Sequence, residues 1–350
     1  MNKEEKKYDL YINWLITSNC NFSCDFCDKE NHQKNENKPL NIEKIIKRID
    51  KLNKTVLINF TGGEPFLIPN FIKLVMELSK KHFISIDTNF SQHPALNKFL
   101  ESVDPNRIIK ITFSTHVIER ENRKEDLEEL CLLINKFQDR GFRIYGNYVI
   151  HPPLVKRMEK DINFFKERNI KILAPMFIGK YKNKKYPVDD YGVISYSKEE
   201  METIKKFTEK ENLTNFKTKG RFCLAGSRAL VINQDKISPC WMILKNLGNF
   251  EDNWSTFDRV IKCPMSYCCC PLTLDSIANY PGLDLQSKLL RKTIKECGTY
   301  SMSESKKITN IPATSLLIDK KIGLVGLFIK NKFPAVYYYI KKIIAKIKNN

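Results

Sequence analysis

Leu10, Ile12, Trp14 and Ile16 alternate with Tyr11, Asn13 and Leu15, the two-residue period of a strand with one buried face, within an extended run from Tyr8 to Thr17. A polar loop, Asn31 to Lys38, separates this strand from a different period. Ile42, Ile45, Ile46 and Ile49 share one helical face, and Asn41 stands where it can cap that helix. Thr55-Val-Leu-Ile-Asn-Phe-Thr61 is again β-rich. The rhythm then runs as helix Pro69 to Lys81, strand Phe83 to Thr88, helix Pro94 to Ser102, strand Arg107 to Thr115 and helix Glu119 to Arg140. Strand Phe142 to Ile150, helix Leu154 to Arg168 and strand Ile170 to Ile178 complete it. Six strands alternating with helices predict a parallel α/β sheet with right-handed crossovers.

Near Gly179 the pattern breaks. Lys180 to Tyr191 is aperiodic and rich in Lys, Tyr and Pro, and Ser197-Lys-Glu-Glu200 then reads as a capping box opening a charged helix to about Glu211. Ala229-Leu-Val-Ile-Asn and Lys236-Ile-Ser-Pro-Cys240 read as two short strands joined by a turn at Gln234-Asp235. At the far end Val336, Ile340, Ile343, Ile344 and Ile347 fall on one helical face, with Lys341, Lys342, Lys346 and Lys348 off it. Such a basic amphipathic helix suits either an anionic membrane interface or packing on the core.

Composition narrows the picture. A chain of 350 residues is long enough for one large α/β core or two smaller ones. The net charge of +19 is spread widely along the chain, which argues against a dedicated nucleic-acid surface. Eleven cysteines behind a charged start, Met1 to Lys7, with no apolar signal segment following, point to a reducing cytoplasm and to metal ligation. No apolar run reaches the roughly 20 residues of a membrane-spanning helix.

The densest chemistry is Cys20-Asn-Phe-Ser-Cys24-Asp-Phe-Cys27. This spacing also lines one face of a helix, but the segment leaves the C-terminal end of the first strand, where α/β folds place their sites. A structural zinc closes its tetrahedron with four protein ligands, whereas a cubane cluster held by three thiolates leaves one iron open. Gly62-Gly63-Glu64-Pro65 ends the second strand at the same edge. Its glycines permit close backbone approach, and a carboxylate accepts hydrogen bonds from a cationic amine.

CxxxCxxC with the aromatic Phe26 before its last cysteine, together with the GGEP segment, resembles the radical S-adenosylmethionine (SAM) superfamily. The resemblance implies a partial (β/α)6 barrel. In it Cys20, Cys24 and Cys27 hold a [4Fe-4S] cluster whose open iron chelates SAM, and reductive cleavage yields a 5'-deoxyadenosyl radical that abstracts hydrogen from substrate. It also implies that Gly62, Gly63, Glu64 and Pro65 meet the SAM amino group. Thr88, Asn89, Ser114, His116 and Asn147 resemble positions that line the rest of SAM, although each suits a helix cap as well. His116 and His151 are further candidates for proton transfer or hydrogen bonding, set against a satisfied or exposed imidazole. Cys131, in a stripe with Leu127, Leu130 and Ile134, reads as core.

Six more cysteines lie between Cys223 and Pro271. With the hairpin they resemble the SPASM/Twitch extension of radical SAM enzymes, a small cysteine-rich α+β unit with an auxiliary [4Fe-4S] cluster. Too few are present for two full clusters. The expected ligands of one are Cys223, Cys240, Cys263 and Cys270, with Cys268 as substitute for Cys263 and a structural zinc as the other reading. Cys269 and Cys297 remain as inert or hydrogen-donating thiols.

The expected organisation is a core barrel over 1–180, a linker and helix over 181–222, the auxiliary-cluster unit over 223–275 and a basic helical tail over 276–350. The expected function is a radical SAM enzyme modifying a peptide, a small molecule or a glycan or lipid precursor. Its electron donor would be of the reductase or flavodoxin type, and its place the cytoplasm or the inner membrane face. Transfer-RNA modification and a non-catalytic zinc-dependent nucleic-acid binder are the alternatives.

Overall fold

The computed structural model describes residues 8–27, 38–177, 179–187, 193–208, 218–241, 243, 245–252, 254–265 and 283–309. The expected basic tail helix and Cys268, Cys269 and Cys270 lie outside the described residues. The first half alternates as expected: β1 (Leu10–Thr17), α1 (Ile42–Asp50), β2 (Val56–Gly62), α2 (Phe71–Ser79), β3 (Phe83–Thr88), α3 (His93–Ser102) and β4 (Ile108–Ser114). Then follow α4 (Val117–Asn122), α5 (Leu127–Asp139), β5 (Ile144–Asn147), α6 (Met158–Glu167) and β6 (Ile172–Leu173). Strands β1 to β6 pair in sequence order and in parallel, as a partial barrel requires.

Local chemistry sets the helix starts. The Asn41 side chain accepts from Lys44 N at 3.0 Å, and Ile42, Ile45 and Ile49 are buried beneath it. The expected helix from Glu119 to Arg140 is instead two, because Lys124 takes a positive φ of 56° and Asp126 caps a new start by accepting from Glu128 N. The last two strands are shorter than expected. Beyond Asn147 the ladder is held by single contacts, Tyr148 N to Leu173 O and the Ile150–Met176 bridge.

The second half holds β7 (Gly179–Tyr181) and β8 (Lys184–Tyr186), a hairpin, and α7 (Lys198–Phe207), opened by the expected Ser197–Glu200 capping box. Next come β9 (Phe222–Cys223), β10 (Ala229–Asn233), β11 (Lys236–Ser238), β12 (Gly248–Asn249) and β13 (Ile261–Lys262). The β10–β11 hairpin forms as expected, with Gln234 at a φ of 55° in its turn. β10 also pairs in parallel with β1, Trp14 opposite Ile232, so one nine-stranded sheet runs β12-β11-β10-β1-β2-β3-β4-β5-β6. The expected boundary at 181–222 therefore separates stretches of sequence and not sheets. Helices Leu283–Cys297 and Met302–Thr309 close the described part.

The two faces of the sheet bury into different cores. Leu10, Ile12, Trp14, Val56, Ile58, Phe60, Ile84 and Ile86 pack under the helices, and Leu230, Ile232, Ile237 and Phe250 of the second half join them. Trp14 lies 4.7 Å from the Phe250 ring and 5.8 Å from Phe60. On the inner face, Leu57, Phe83 and Ile109, near the N-terminal ends of their strands, bury instead against Leu224, Val260, Ile261, Leu289 and Leu290. The second half thus plugs the bottom of the barrel, and Cys223, Cys240 and Cys263 are buried in that plug. Above it the inner face turns polar.

Because Ile232 is fully buried on a strand bonded to β1, Ile232→Ala is expected to cost about 2–5 kcal/mol. Denaturant titration should show this as a shift of one cooperative transition, whereas an independently folding second half would show two.

Candidate functional site: the cysteine loop and the glycine loop beneath it

β1 ends at Thr17, and the chain turns into the loop carrying Cys20, half-buried, Cys24, buried, and Cys27, exposed. The GGEP segment lies directly against it. Gly63 N donates to Thr17 O at 2.8 Å and Glu64 N to Asn19 O at 2.7 Å. Gly62 has a φ of +119°, and a Cβ there would sit 2.2 Å from Thr17 O; at Gly63 it would sit 1.9 Å from Asn19 O. No side chain fits either position. The two glycines are thus required by the backbone that presents Cys20.

Glu64 is fully buried, and its carboxylate is occupied by protein donors. Phe66 N donates at 3.0 Å, Thr88 Oγ1 lies 2.8 and 2.9 Å from its two oxygens, and Asn89 N donates at 2.6 Å. With no exposed surface, this carboxylate ties the β2 loop to the end of β3. Burial pushes its pKa from 4.5 up to about 7, against the lowering effect of those donors. Pro65 opens the short turn Pro65–Leu67 that follows.

From this anchor Asn89 reaches the cysteines. Its Nδ2 donates to Asn21 Oδ1 at 2.8 Å and lies 3.7 Å from Cys20 Sγ. Ser114 and Asn147 are register partners at the ends of β4 and β5, both half-buried, and Asn147 Oδ1 is buried without a hydrogen-bond partner. Such an atom fits a ligand donor at this edge. Thr88, by contrast, is consumed by Glu64.

His116 has a φ of +42°, and its Nδ1 lies 3.3 Å from Cys24 Sγ, between the rings of Phe22 and Phe26. Burial, then Arg120, pushes its pKa down to about 3, so at neutral pH the ring is uncharged, with a single ring N–H, and packs the loop. Phe26 also lies 5.1 Å from His151, which is buried with Phe177 and Tyr181 against it and its Nε2 without a partner. Cys131 is core, as expected.

One grip on the loop escaped the sequence reading. Arg120 is 1% exposed; it donates from Nε to Thr115 O and from Nη1 to Glu125, bonds Asn89 O, and lies 5.3 Å over the Phe22 ring. Arg123 donates to Asn21 O at 3.1 Å, and Glu119 accepts from Ser23 N at 3.2 Å. The available signal was the three-residue spacing of Val117 and Arg120, which puts a charge on the buried face of a helix.

The thiols suit a cluster. Burial raises the pKa of Cys20 and lifts that of Cys24 to about 12, so both are protonated at neutral pH until a metal displaces the protons. Among the described residues, no three His, Cys, Asp or Glu side chains converge as one metal ion requires. A cubane asks for less, since each thiolate binds its own iron.

Two outcomes follow for this loop. Gly63→Ala should abolish iron incorporation on anaerobic reconstitution, read as iron per chain, because its Cβ would collide with Asn19 O. The metal-free protein should lose stability as pH rises from about 4.5 through about 7, where the unfolded state ionises Glu64 and the folded state holds the proton. Glu64→Gln should flatten that slope and lower stability at every pH, because its amide N–H2 must face a backbone donor; denaturant midpoints at pH 5 and 8 measure both effects.

Comparison with known proteins agrees with this geometry. Residues 14–165 match the Radical SAM superfamily model. Over 147 residues the chain is 26% identical to GTP 3',8-cyclase of Aquifex aeolicus, covering 39% of this chain and 46% of that one. Over 84 residues it is 34% identical to the tungsten-containing aldehyde ferredoxin oxidoreductase cofactor-modifying protein of Pyrococcus furiosus, covering 23% of each. The chain thus matches less than half the length of these relatives. Among solved structures it is similar in fold to native anSMEcpe with bound AdoMet, with a TM-score of 0.50 and 17% identity over 86% of this chain and 99% of that one. The likeness to the Radical SAM superfamily thus rests on the segment from residue 14 to residue 165, which carries the three-cysteine loop and its glycine support.

Proposed function

We propose that this chain is a SAM-cleaving enzyme that modifies a carbon–hydrogen bond of a substrate held inside the barrel, a peptide or a glycan or lipid precursor. The observation that carries the reading is the lacing of Gly63 and Glu64 to the backbone ahead of Cys20, which fixes a three-thiol loop at the strand ends. Cys20, Cys24 and Cys27 would hold a [4Fe-4S] cluster. When bound, that cluster would supply the electron for reductive cleavage of SAM and so the means of removing a hydrogen atom from substrate.

The chain's own residues do the rest. Phe22, Phe26 and His116 enclose the buried side of the loop and exclude water from Cys24. Gly62 and Gly63 let the end of β2 press against the backbone ahead of Cys20. Asn89, Ser114 and Asn147 line the adjoining strand ends, and the unpartnered Asn147 Oδ1 is suited to accept from a SAM hydroxyl or amine.

A second [4Fe-4S] cluster would take Cys223, Cys240, Cys263 and Cys270, with Cys268 as the substitute for Cys263. The support is that the first three thiols, 3%, 6% and 3% exposed, share one apolar cluster at the floor of the barrel. β13 pairs with β9, Ile261 opposite Cys223, and Cys263 N donates to Arg221 O, which places Cys263 on the neighbouring strand two register positions from Cys223.

Anaerobic reconstitution should load roughly eight irons per chain, four per cubane. Cys240→Ala should keep about four and still release 5'-deoxyadenosine from SAM and dithionite, whereas Cys24→Ala should release none. A colourless zinc protein, or intact SAM with the fully loaded chain, overturns the reading.

A further inference from the structure

Between the apolar plug and the cysteine loop, the inner face carries a polar layer that neither site uses. Asn13, Asn59, Asp87 and Thr112 stand on four successive strands, β1 to β4. The register sets Asn13 beside Asn59 and Asp87 beside Thr112. Their sequence neighbours, among them Ile12, Ile58, Ile86 and Ile111, pack into the opposite core, so these side chains face the barrel interior.

The bonding within this layer is lopsided. Asn59 spends both donors inside the group, Nδ2 to Asn13 Oδ1 and to Asp87 Oδ2, each at 2.8 Å. That leaves acceptors. Asn59 Oδ1 and Thr112 Oγ1 are buried without a partner, on residues 5% and 7% exposed. Asp87 is half-buried, and its carboxylate takes only the bond from Asn59; among the described residues no Lys, Arg or His pairs with it. Buried polar atoms in native proteins find partners, so this floor is completed by something that brings donors.

We propose that the floor is a subsite for a primary ammonium group of the substrate, bound by Asp87, Asn59 Oδ1 and Thr112 Oγ1. An ammonium has three donors and no acceptor, which matches acceptor groups on three neighbouring strands and one formal negative charge. A carboxylate or phosphate would meet the negative charge of Asp87 here. Asp87 and Asn59 thus act as specificity determinants, Asp87 supplying charge and Asn59 holding Asp87 in place. The inference rests on the reading that substrate occupies the barrel interior.

The test is calorimetric titration of the reconstituted full chain, without SAM or reductant, with glucosamine and with a lysine-bearing tripeptide blocked at both ends. Each is compared with its N-acetylated counterpart. We expect one free amine to bind, its acetylated form to bind about tenfold or more weakly, and Asp87→Asn to remove that preference. The amine that binds identifies the source as sugar or peptide. Equal binding of free and acetylated forms, binding of neither amine, or an unchanged preference in Asp87→Asn overturns the proposal. The comparison in the unaltered protein stands even if the variant does not fold. Failure to cleave SAM would sink the proposed function without touching this result, and the reverse holds equally.

Discussion

Two backbone hydrogen bonds, Gly63 N to Thr17 O and Glu64 N to Asn19 O, couple the end of β2 to the turn out of β1. They form only because neither Gly62 nor Gly63 carries a Cβ, whose place is filled by carbonyl oxygens. The turn out of β1 leads directly into Cys20, so the position of the first thiol is set by a neighbouring strand and not by its own loop. Glu64 extends the coupling to β3 through Thr88 and Asn89. A fully buried carboxylate is costly, and three donors, Phe66 N, Asn89 N and the Thr88 hydroxyl, compensate it. The outcome is three strand ends locked in one arrangement, with the cysteine loop as their common load.

The same loop is held from the other side by charge. Arg120 reaches Thr115, Asn89 and Glu125 while lying over Phe22, and Arg123 and Glu119 bond the loop backbone. A guanidinium suits this because its planar fork bonds several carbonyls while its face packs on an aromatic ring. The sharp entry into α4, with His116 left-handed, brings these groups back under the loop. The loop's rigidity therefore comes from neighbours on β2, β3 and α4.

The second half is built into the barrel and not hung beside it. β10 extends the sheet at β1, Phe250 packs against Trp14 with its ring tilted, and the residues around Cys223, Cys240 and Cys263 close the floor. This leaves a vertical order inside the barrel: apolar plug and second cysteine group below, an acceptor-rich polar layer in the middle, and the first cysteine loop at the strand ends. A substrate in that middle layer lies between the two thiol groups.

Much of this was legible along the chain. Alternation in β1 and β2, the isoleucine stripe of α1, the Asn41 and Ser197 caps and the β10–β11 turn are all decided by residues within a few positions of one another. The cysteine spacing and the GGEP segment were legible for the same reason, as short contiguous patterns. What the sequence could not state is which backbone the glycines make room for, that Glu64 turns inward to other loops, or that Arg120 is buried under the cysteines. Nor could it show that β10 pairs with β1, more than two hundred residues earlier in the chain, or that Asn59 and Asp87 meet across two strands. Those facts depend on contacts between segments far apart in sequence. Only the closed tertiary structure decides which long-range partners satisfy each buried polar group and which are left for a ligand.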